Sequence, residues 1–343
     1  MGRISTFILA VSLLMANLHS IEIQGHRGAR NAFPENTLPA FQAAWEAGAD
    51  LIELDVQVTK DKALIIHHNF ALNSNISCYL NGSSIKKPEL IRNIPLADIK
   101  KIDCGKKTDS DYPDQKSLPG TQIPTLEEVI DLIKSSSHPG AQKVRVNIEI
   151  KRDPRSPEQS YPAAEIVDLV LAQVEKSGFA SRVQYSSFDP EVLIALREKA
   201  PKAIISCLFD SEVLKEISKR YAQAGMDFIM AFASTLEAQI LSPEHEILKD
   251  ASQVRAMQKE GFRVIAWTVN DPIRWKELYD MGVDGIITDY PAALVSFLDE
   301  IKQKEQEQRR LEEEAKISAL KEEPFIEILP EELSTGTDLS NNN

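Results

Sequence analysis

The chain has 343 residues, 43% hydrophobic and 27% charged, with a net charge of -13 and a pI near 5.1. That length suits one large α/β domain with additions. The acidity and the lack of a basic patch exclude a nucleic-acid-binding class. They leave room for a phosphate-bearing small molecule, because a bound cation inverts the local field.

The first twenty residues, MGRISTFILAVSLLMANLHS, place one arginine before an apolar stretch from Phe7 to Leu18. The stretch falls short of the about 20 apolar residues that span a bilayer. It reads as a secretory signal peptide, so export to the periplasm or medium is expected, with cleavage near Ser20 and no stable membrane insertion. The Leu18-His19-Ser20 box is a poor cleavage site. The three cysteines, Cys78, Cys104 and Cys207, show no metal-ligand spacing. In an oxidising compartment Cys78 and Cys104 are able to pair; the alternative is three free thiols.

Apolar runs of strand length lie at 21–25, 51–58, 144–150, 182–187, 203–208, 227–231, 263–269 and 285–288. Amphipathic segments lie at 37–47, 125–135, 163–177, 190–199, 211–224, 251–260, 272–281 and 292–301. Thr125 followed by Glu128 forms a capping-box signature at the start of one of them. Strands followed by helices over 21–300 predict an α/β fold, the (β/α)8 TIM barrel. Residues 64–68 (LIIHH) come too soon after the second strand for a parallel crossover, so they form a hairpin. A turn centred on Lys60-Asp61 sets His68 opposite Glu53. Residues 70–123, rich in Asn, Pro and Lys, read as a small insertion after the second strand. Residues 301–343 read as a charged or disordered tail, and 299–323 as either a solvated helix or part of that charged tail. Beyond 323 the FIEIL stretch at 325–329 is a weak docking candidate in a disordered end.

In this fold the working residues stand at the C-terminal ends of the strands. His26 and Arg27 end the first. Glu53 and Asp55 alternate in the second and so share a face. Glu149 and Lys151 alternate in the third, and Trp267 ends the seventh. Carboxylates converging without compensation repel one another and resist ionisation. A hard divalent cation, Ca²⁺ or Mg²⁺, resolves this with oxygen ligands. The rival account, a structural network in which Lys151 and Arg27 neutralise the carboxylates, explains the clustering of five such groups less well. His26 and His68 suit acid/base work near neutrality. Arg27 and Lys151 suit phosphate oxygens. Together these point to cleavage of a phosphodiester. Among the single residues, His67 points to the opposite strand face as a structural side chain. Glu35 and Asn36 brace the first loop, Ser186 and Ser187 fill the barrel, Asp289 caps the last helix, and His138 and His245 are surface residues.

The stretches HRG at 26–28, PENT at 34–37, ELDVQVTKD at 53–61, LIIHHN at 64–69, NIEIK at 147–151, AWTVN at 266–270 and DGIITDYP at 284–291 resemble the glycerophosphodiester phosphodiesterase family. The resemblance runs over about 21–298 in order. It implies a TIM barrel and hydrolysis of glycerophosphodiesters to sn-glycerol 3-phosphate and an alcohol with one Ca²⁺ or Mg²⁺. It implies an acid/base pair in His26 and His68, metal ligands in Glu53, Asp55 and Glu149, phosphate contacts in Arg27 and Lys151, and a glycerol wall in Trp267. It also implies attack by the glycerol 2-hydroxyl through a cyclic phosphate. This chain departs from the family in having Asn69 where an aspartate follows the second histidine, and Lys62 where the turn carries glycine. Two rivals are a phospholipase D-like or phosphoinositide phospholipase C-like barrel lyase acting on membrane lipids, and an inactive binding protein on the same barrel.

Overall fold

The computed structural model describes residues 20–72, 78–79, 81–221 and 225–322. The expected signal peptide and the FIEIL stretch therefore lie outside the described residues. In chain order the strands are β1 (Glu22–Gly25), β2 (Leu51–Val58), β3 (Leu64–Ile66), β4 (Cys78–Tyr79), β5 (Ile102–Asp103), β6 (Arg145–Ile150), β7 (Val183–Ser187), β8 (Ile205–Phe209), β9 (Ile240–Pro243), β10 (Arg263–Ala266) and β11 (Gly285–Thr288). Eight of them, β1, β2 and β6 to β11, pair in parallel, and β1 bonds both β11 and β2, which closes the barrel. Helices stand between successive barrel strands, as the alternation predicts.

The helix starts follow local chemistry. Thr37 caps Leu38–Glu46 by accepting the Ala40 amide, and Pro39 needs no amide partner in the first turn. Thr125 and Glu128 form the expected capping box of Leu126–Ser135: the Glu128 amide donates to Thr125 Oγ1 at 3.1 Å, and the Thr125 amide donates to Glu128 Oε2 at 2.8 Å. Helices Ala163–Ser177 and Pro272–Met281 end on Gly178 and Gly282 in left-handed backbone.

Two sequence expectations change. Residues 227–231 are not a strand but part of the helix Gly225–Thr235, packed as a hairpin against Ser211–Tyr221. Its buried residues Gly225, Ile229 and Ala233 recur every four positions, which is a helix stripe. The sixth barrel strand is the shorter ILSP at β9, between β8 and β10. The hairpin register also shifts by one. Val56 faces Ile66 and Val58 faces Leu64, so the turn centres on Asp61, and the His67 amide makes the last bond of the pairing, to Asp55 O. The β3 strand occupies the edge of β2 that β1 leaves after Ile52.

The insertion has an apolar core of its own. Ile85, Ile91, Ile94, Ile99, Ile102, Cys104 and Ile123 pack with Leu72 and with Ile65 of β3. Cys104 is a buried free thiol whose Sγ donates to Thr121 O, not half of a cystine with Cys78. At the N-terminal end of the barrel Glu22 pairs with Arg145 and Arg263, and Gln24 receives Asn147 Nδ2 at 3.0 Å. The last helix runs over Pro291–Glu322, joining the expected 292–301 segment to the solvated helix that is one reading of 299–323. Its residues 306–318 are exposed, as a solvated helix requires.

Replacing Thr125 by Ala removes one acceptor of the capping box. The expected cost is about 1 kcal/mol, read as a lower urea midpoint with unchanged slope.

Candidate active site

The site begins in the turn after β1. The His26 amide donates to Thr288 O at 2.9 Å, which ties the turn to β11. Arg27 and Asn36 both take left-handed backbone, at φ 52° and 55°, a rare state for side chains other than glycine. Gly28, at φ 89°, lies so close to the next helix that a Cβ there would sit 2.5 Å from the Ala40 carbonyl carbon. This tight path aims the Arg27 amide at Glu53 Oε2, 2.8 Å away. The Arg27 guanidinium pairs with Glu35 at 2.9 Å and lies 3.5 Å from Asp55. Asn36 Nδ2 donates to Asp55 Oδ2 at 2.8 Å. Glu35 and Asn36 thus brace the loop as expected.

The parallel register of β2 and β6 places Asp55 beside Glu149. Oxygens of Glu53, Asp55 and Glu149 all lie within 4.8 Å of one another. Glu53 and Asp55 are buried. Burial, then the charges of Asp55 and Glu149, push the Glu53 carboxyl well above its ordinary range. Burial also raises Glu149, against the pull of Lys151 and with the push of Asp55. For Asp55, burial is outweighed by His68, Lys151, Arg27 and the Asn36 amide, and its carboxyl is held low. Lys151 Nζ sits 2.7 Å from Glu149 and 3.6 Å from Asp55. Three hard oxygen donors this close, two of them reluctant to ionise, fit a small divalent cation. Lys151 and Arg27 also contact these carboxylates directly, so both basic residues belong to the same cluster.

The two histidines are held differently. His26 Nδ1 bonds Asp289 Oδ1 at 2.7 Å, and Arg27 Nε donates to His26 Nε2 at 3.2 Å. These partners assign the proton to Nδ1. Asp289 also accepts from Tyr112 Oη and Asn270 Nδ2, each at 2.7 Å. Asp289 is therefore not a helix cap, as its sequence position suggests, but the buried orienting carboxylate of His26. His68 donates from Nδ1 to Asn69 Oδ1 at 2.8 Å, so Asn69 orients its neighbour without adding charge. Burial lowers His68 to about 4, which leaves it neutral at neutral pH. His68 reaches the cleft although it does not face Glu53 in the ladder. His67 is buried, with Nδ1 on Asn69 O at 2.9 Å and its amide on Asp55 O.

The open cleft over these groups is lined by His26, Arg27, Glu53, His68, Glu149 and Lys151 on its polar side. Phe188, Leu208, Trp267 and Ile287 form the apolar side. Trp267 is fixed by Nε1 donating to Ser242 O at 2.7 Å and by an edge-on contact with Phe188, centroids 5.3 Å apart. All eight expected site residues thus converge at one mouth of the barrel. Asp289 and Phe188 were not expected there, although each directly follows a barrel strand, β11 and β7, where functional side chains emerge. Tyr112, from the insertion, carries no such signal.

The family model for the glycerophosphoryl diester phosphodiesterase family matches residues 26–293. The chain belongs to this family. A glycerophosphodiester phosphodiesterase of Caldanaerobacter subterraneus subsp. tengcongensis is 32% identical over 274 residues, covering 80% of this chain and 96% of its own. A solved structure from Silicibacter pomeroyi DSS-3 shares the fold with TM-score 0.75 at 27% identity, covering 83% of this chain and 95% of that one. An Oleispira antarctica phosphodiesterase, solved in complex with sn-glycerol-3-phosphate, shares the fold with TM-score 0.63 at 23% identity, covering 81% and 96%. The (β/α)8 barrel is thus that of the family.

The raised carboxyl of Glu53 carries a stability consequence. A carboxyl whose pKa is higher in the fold than in the unfolded chain costs stability as pH rises above its unfolded value. The metal-free protein is therefore expected to lose stability from about pH 4.3 upward. Glu53→Gln, which removes the buried ionisable carboxyl, should stabilise the EDTA-treated protein at neutral pH. Thermal unfolding with EDTA, and then with Ca²⁺ or Mg²⁺, checks this. The cation should raise the wild-type midpoint and leave that of Glu53→Gln nearly unmoved.

Proposed function

We propose that this chain hydrolyses glycerophosphodiesters to sn-glycerol 3-phosphate and an alcohol, with one divalent cation, Ca²⁺ or Mg²⁺, held by Glu53, Asp55 and Glu149. The observation that carries the reading is the convergence of three carboxylates, two histidines, Arg27 and Lys151 at one end of the barrel. Family membership and the Caldanaerobacter relative's activity support the substrate class. The Oleispira neighbour is an instance of the same barrel accommodating sn-glycerol-3-phosphate.

The cation's contribution is to polarise the phosphorus centre and offset the charge that develops on its oxygens. The chain's own groups do the rest. Arg27 and Lys151 bind and orient phosphate oxygens. His26 accepts the proton of the attacking hydroxyl at Nε2. Asp289 on Nδ1 holds the tautomer and stabilises the imidazolium, as a carboxylate does in a catalytic triad. His68, turned by Asn69, makes the second proton transfer: from its protonated form Nε2 gives the proton to the departing alcohol oxygen, and the neutral ring then takes one back from the attacking water. In the two-step route the glycerol 2-hydroxyl forms the new P–O bond as the alcohol leaves, and water then opens the cyclic phosphate and restores the hydroxyl. Phe188 and Trp267 offer apolar surface to the glycerol carbons.

The N-terminal segment supports a further reading, that the protein works after export. Detection of the activity in the periplasm or medium, and its retention in the cytoplasm when 1–20 are deleted, tests that reading.

The central test is release of glycerol 3-phosphate from glycerophosphocholine by the wild-type protein, His26→Ala and Glu53→Ala, with EDTA, Ca²⁺ or Mg²⁺. Activity should vanish with EDTA and return with one of the cations. Loss of an acid/base group is expected to lower kcat by roughly 10²–10⁴-fold. A folded, cation-bound wild-type protein inert toward several glycerophosphodiesters would refute the assignment.

A further inference from the structure

The insertion reaches into the acid/base apparatus through one side chain. Tyr112 is buried, and its Oη donates to Asp289 Oδ2 at 2.7 Å, while the other oxygen of that carboxylate holds His26 Nδ1. Asn270 Nδ2 shares Oδ2 with Tyr112. With two donors on Oδ2, the carboxylate cannot rotate to exchange its oxygens without breaking both bonds, so Oδ1 stays aimed at His26.

Tyr112 is itself held by the loop after β1. The Arg30 guanidinium lies 4.7 Å above its ring. Arg30 pairs with Asp109 at 3.0 Å and with Glu35 at 2.9 Å, and Glu35 pairs with Arg27. Gln115 Nε2 donates to Arg30 O at 2.8 Å, and the Lys116 amide donates to Ala32 O at 2.9 Å. Residues 109–116 therefore clasp 30–35, and Tyr112 is the point where the clasp touches Asp289.

We propose that Tyr112 is a positioning residue for His26, acting through the Asp289 carboxylate, so that the insertion completes the acid/base apparatus in addition to bordering the cleft. The inference rests on the role given to His26 under the proposed function. Its chemistry is a fixed carboxylate rather than a proton carried by the phenol: Tyr112 touches neither His26 nor the carboxylate cluster, and no bond forms or breaks at it.

The test is a kinetic cycle on the full chain with glycerophosphocholine and the activating cation. Tyr112→Phe keeps the ring, the Arg30 contact and the packing, and removes one hydrogen bond to a charged group. The expected result is a kcat about fivefold to tenfold lower, with KM within about twofold of wild type, because substrate binding is untouched. In an Asp289→Asn background the same change should cost little further, since the two act as one unit. Wild-type kcat in Tyr112→Phe overturns the inference, as does an equal, additive loss in the Asp289→Asn background or a change confined to KM. Should Tyr112→Phe fail to fold, 3,5-difluorotyrosine placed at 112 keeps the ring and alters only the donor. A changed kcat at constant KM then supports the inference, and an unchanged kcat overturns it. His26→Ala separates the two levels. If it is inactive while Tyr112→Phe behaves as wild type, only the positioning role falls; if it retains full activity, the reading of His26 falls with it.

Discussion

Everything at this site depends on holding three carboxylates against their mutual repulsion. The register of β2 and β6 forces Asp55 beside Glu149, and the pleat brings Glu53 to the same face. Left in apolar surroundings these groups would simply stay protonated. Instead the chain surrounds them with Lys151, Arg27, the Arg27 amide and the Asn36 amide. Those groups stand on β6 and on the loop after β1, so the loop's unusual backbone serves the cluster. Arg27 in left-handed conformation, with Gly28 pressed against Ala40, directs one residue's amide and guanidinium at two different carboxylates. Strain at one turn is the price of that double contact.

Much of this was legible in the sequence because barrel strands put chemistry at predictable places. Charged residues at alternate positions in otherwise apolar strands pointed to Glu53, Asp55, Glu149 and Lys151 before any geometry was known. What failed did so for local physical reasons. The run at 227–231 is apolar enough for a strand, yet its buried residues recur at helical spacing. The true strand, ILSP, is too short to stand out. The hairpin register missed by one because the turn, with Lys62 in left-handed backbone at φ 66°, centres on Asp61. His68 still reaches the cleft because it lies one residue past the last ladder bond, from the His67 amide to Asp55 O.

Asp289 shows the other kind of miss. An aspartate before a Tyr-Pro helix start has the local signature of a cap. Its environment is instead long-range: His26 lies 263 residues earlier and Tyr112 177 residues earlier. No periodicity reports such a contact. The insertion was legible as an insertion, but its small isoleucine core and its clasp on the first loop depend on how it folds back on β3. Asn69, where the family resemblance leads to an expected aspartate, orients its neighbour through its side-chain oxygen. It holds the His68 ring by the same kind of bond an aspartate would make, while leaving the net charge around the carboxylates one unit less negative.

The hydrogen bonds around the cluster also set how many donors it presents. Glu53 commits Oε2 to the Arg27 amide, Asp55 commits Oδ2 to Asn36, and Glu149 commits Oε1 to Lys151. Each carboxylate still has its other oxygen outside these bonds, so the cluster presents at least three hard oxygens. Ca²⁺ and Mg²⁺ take six or more oxygens. A Ca²⁺ or Mg²⁺ held by the proposed ligands would complete its sphere from other oxygens, water and the incoming phosphate among them, and so could exchange ligands during turnover.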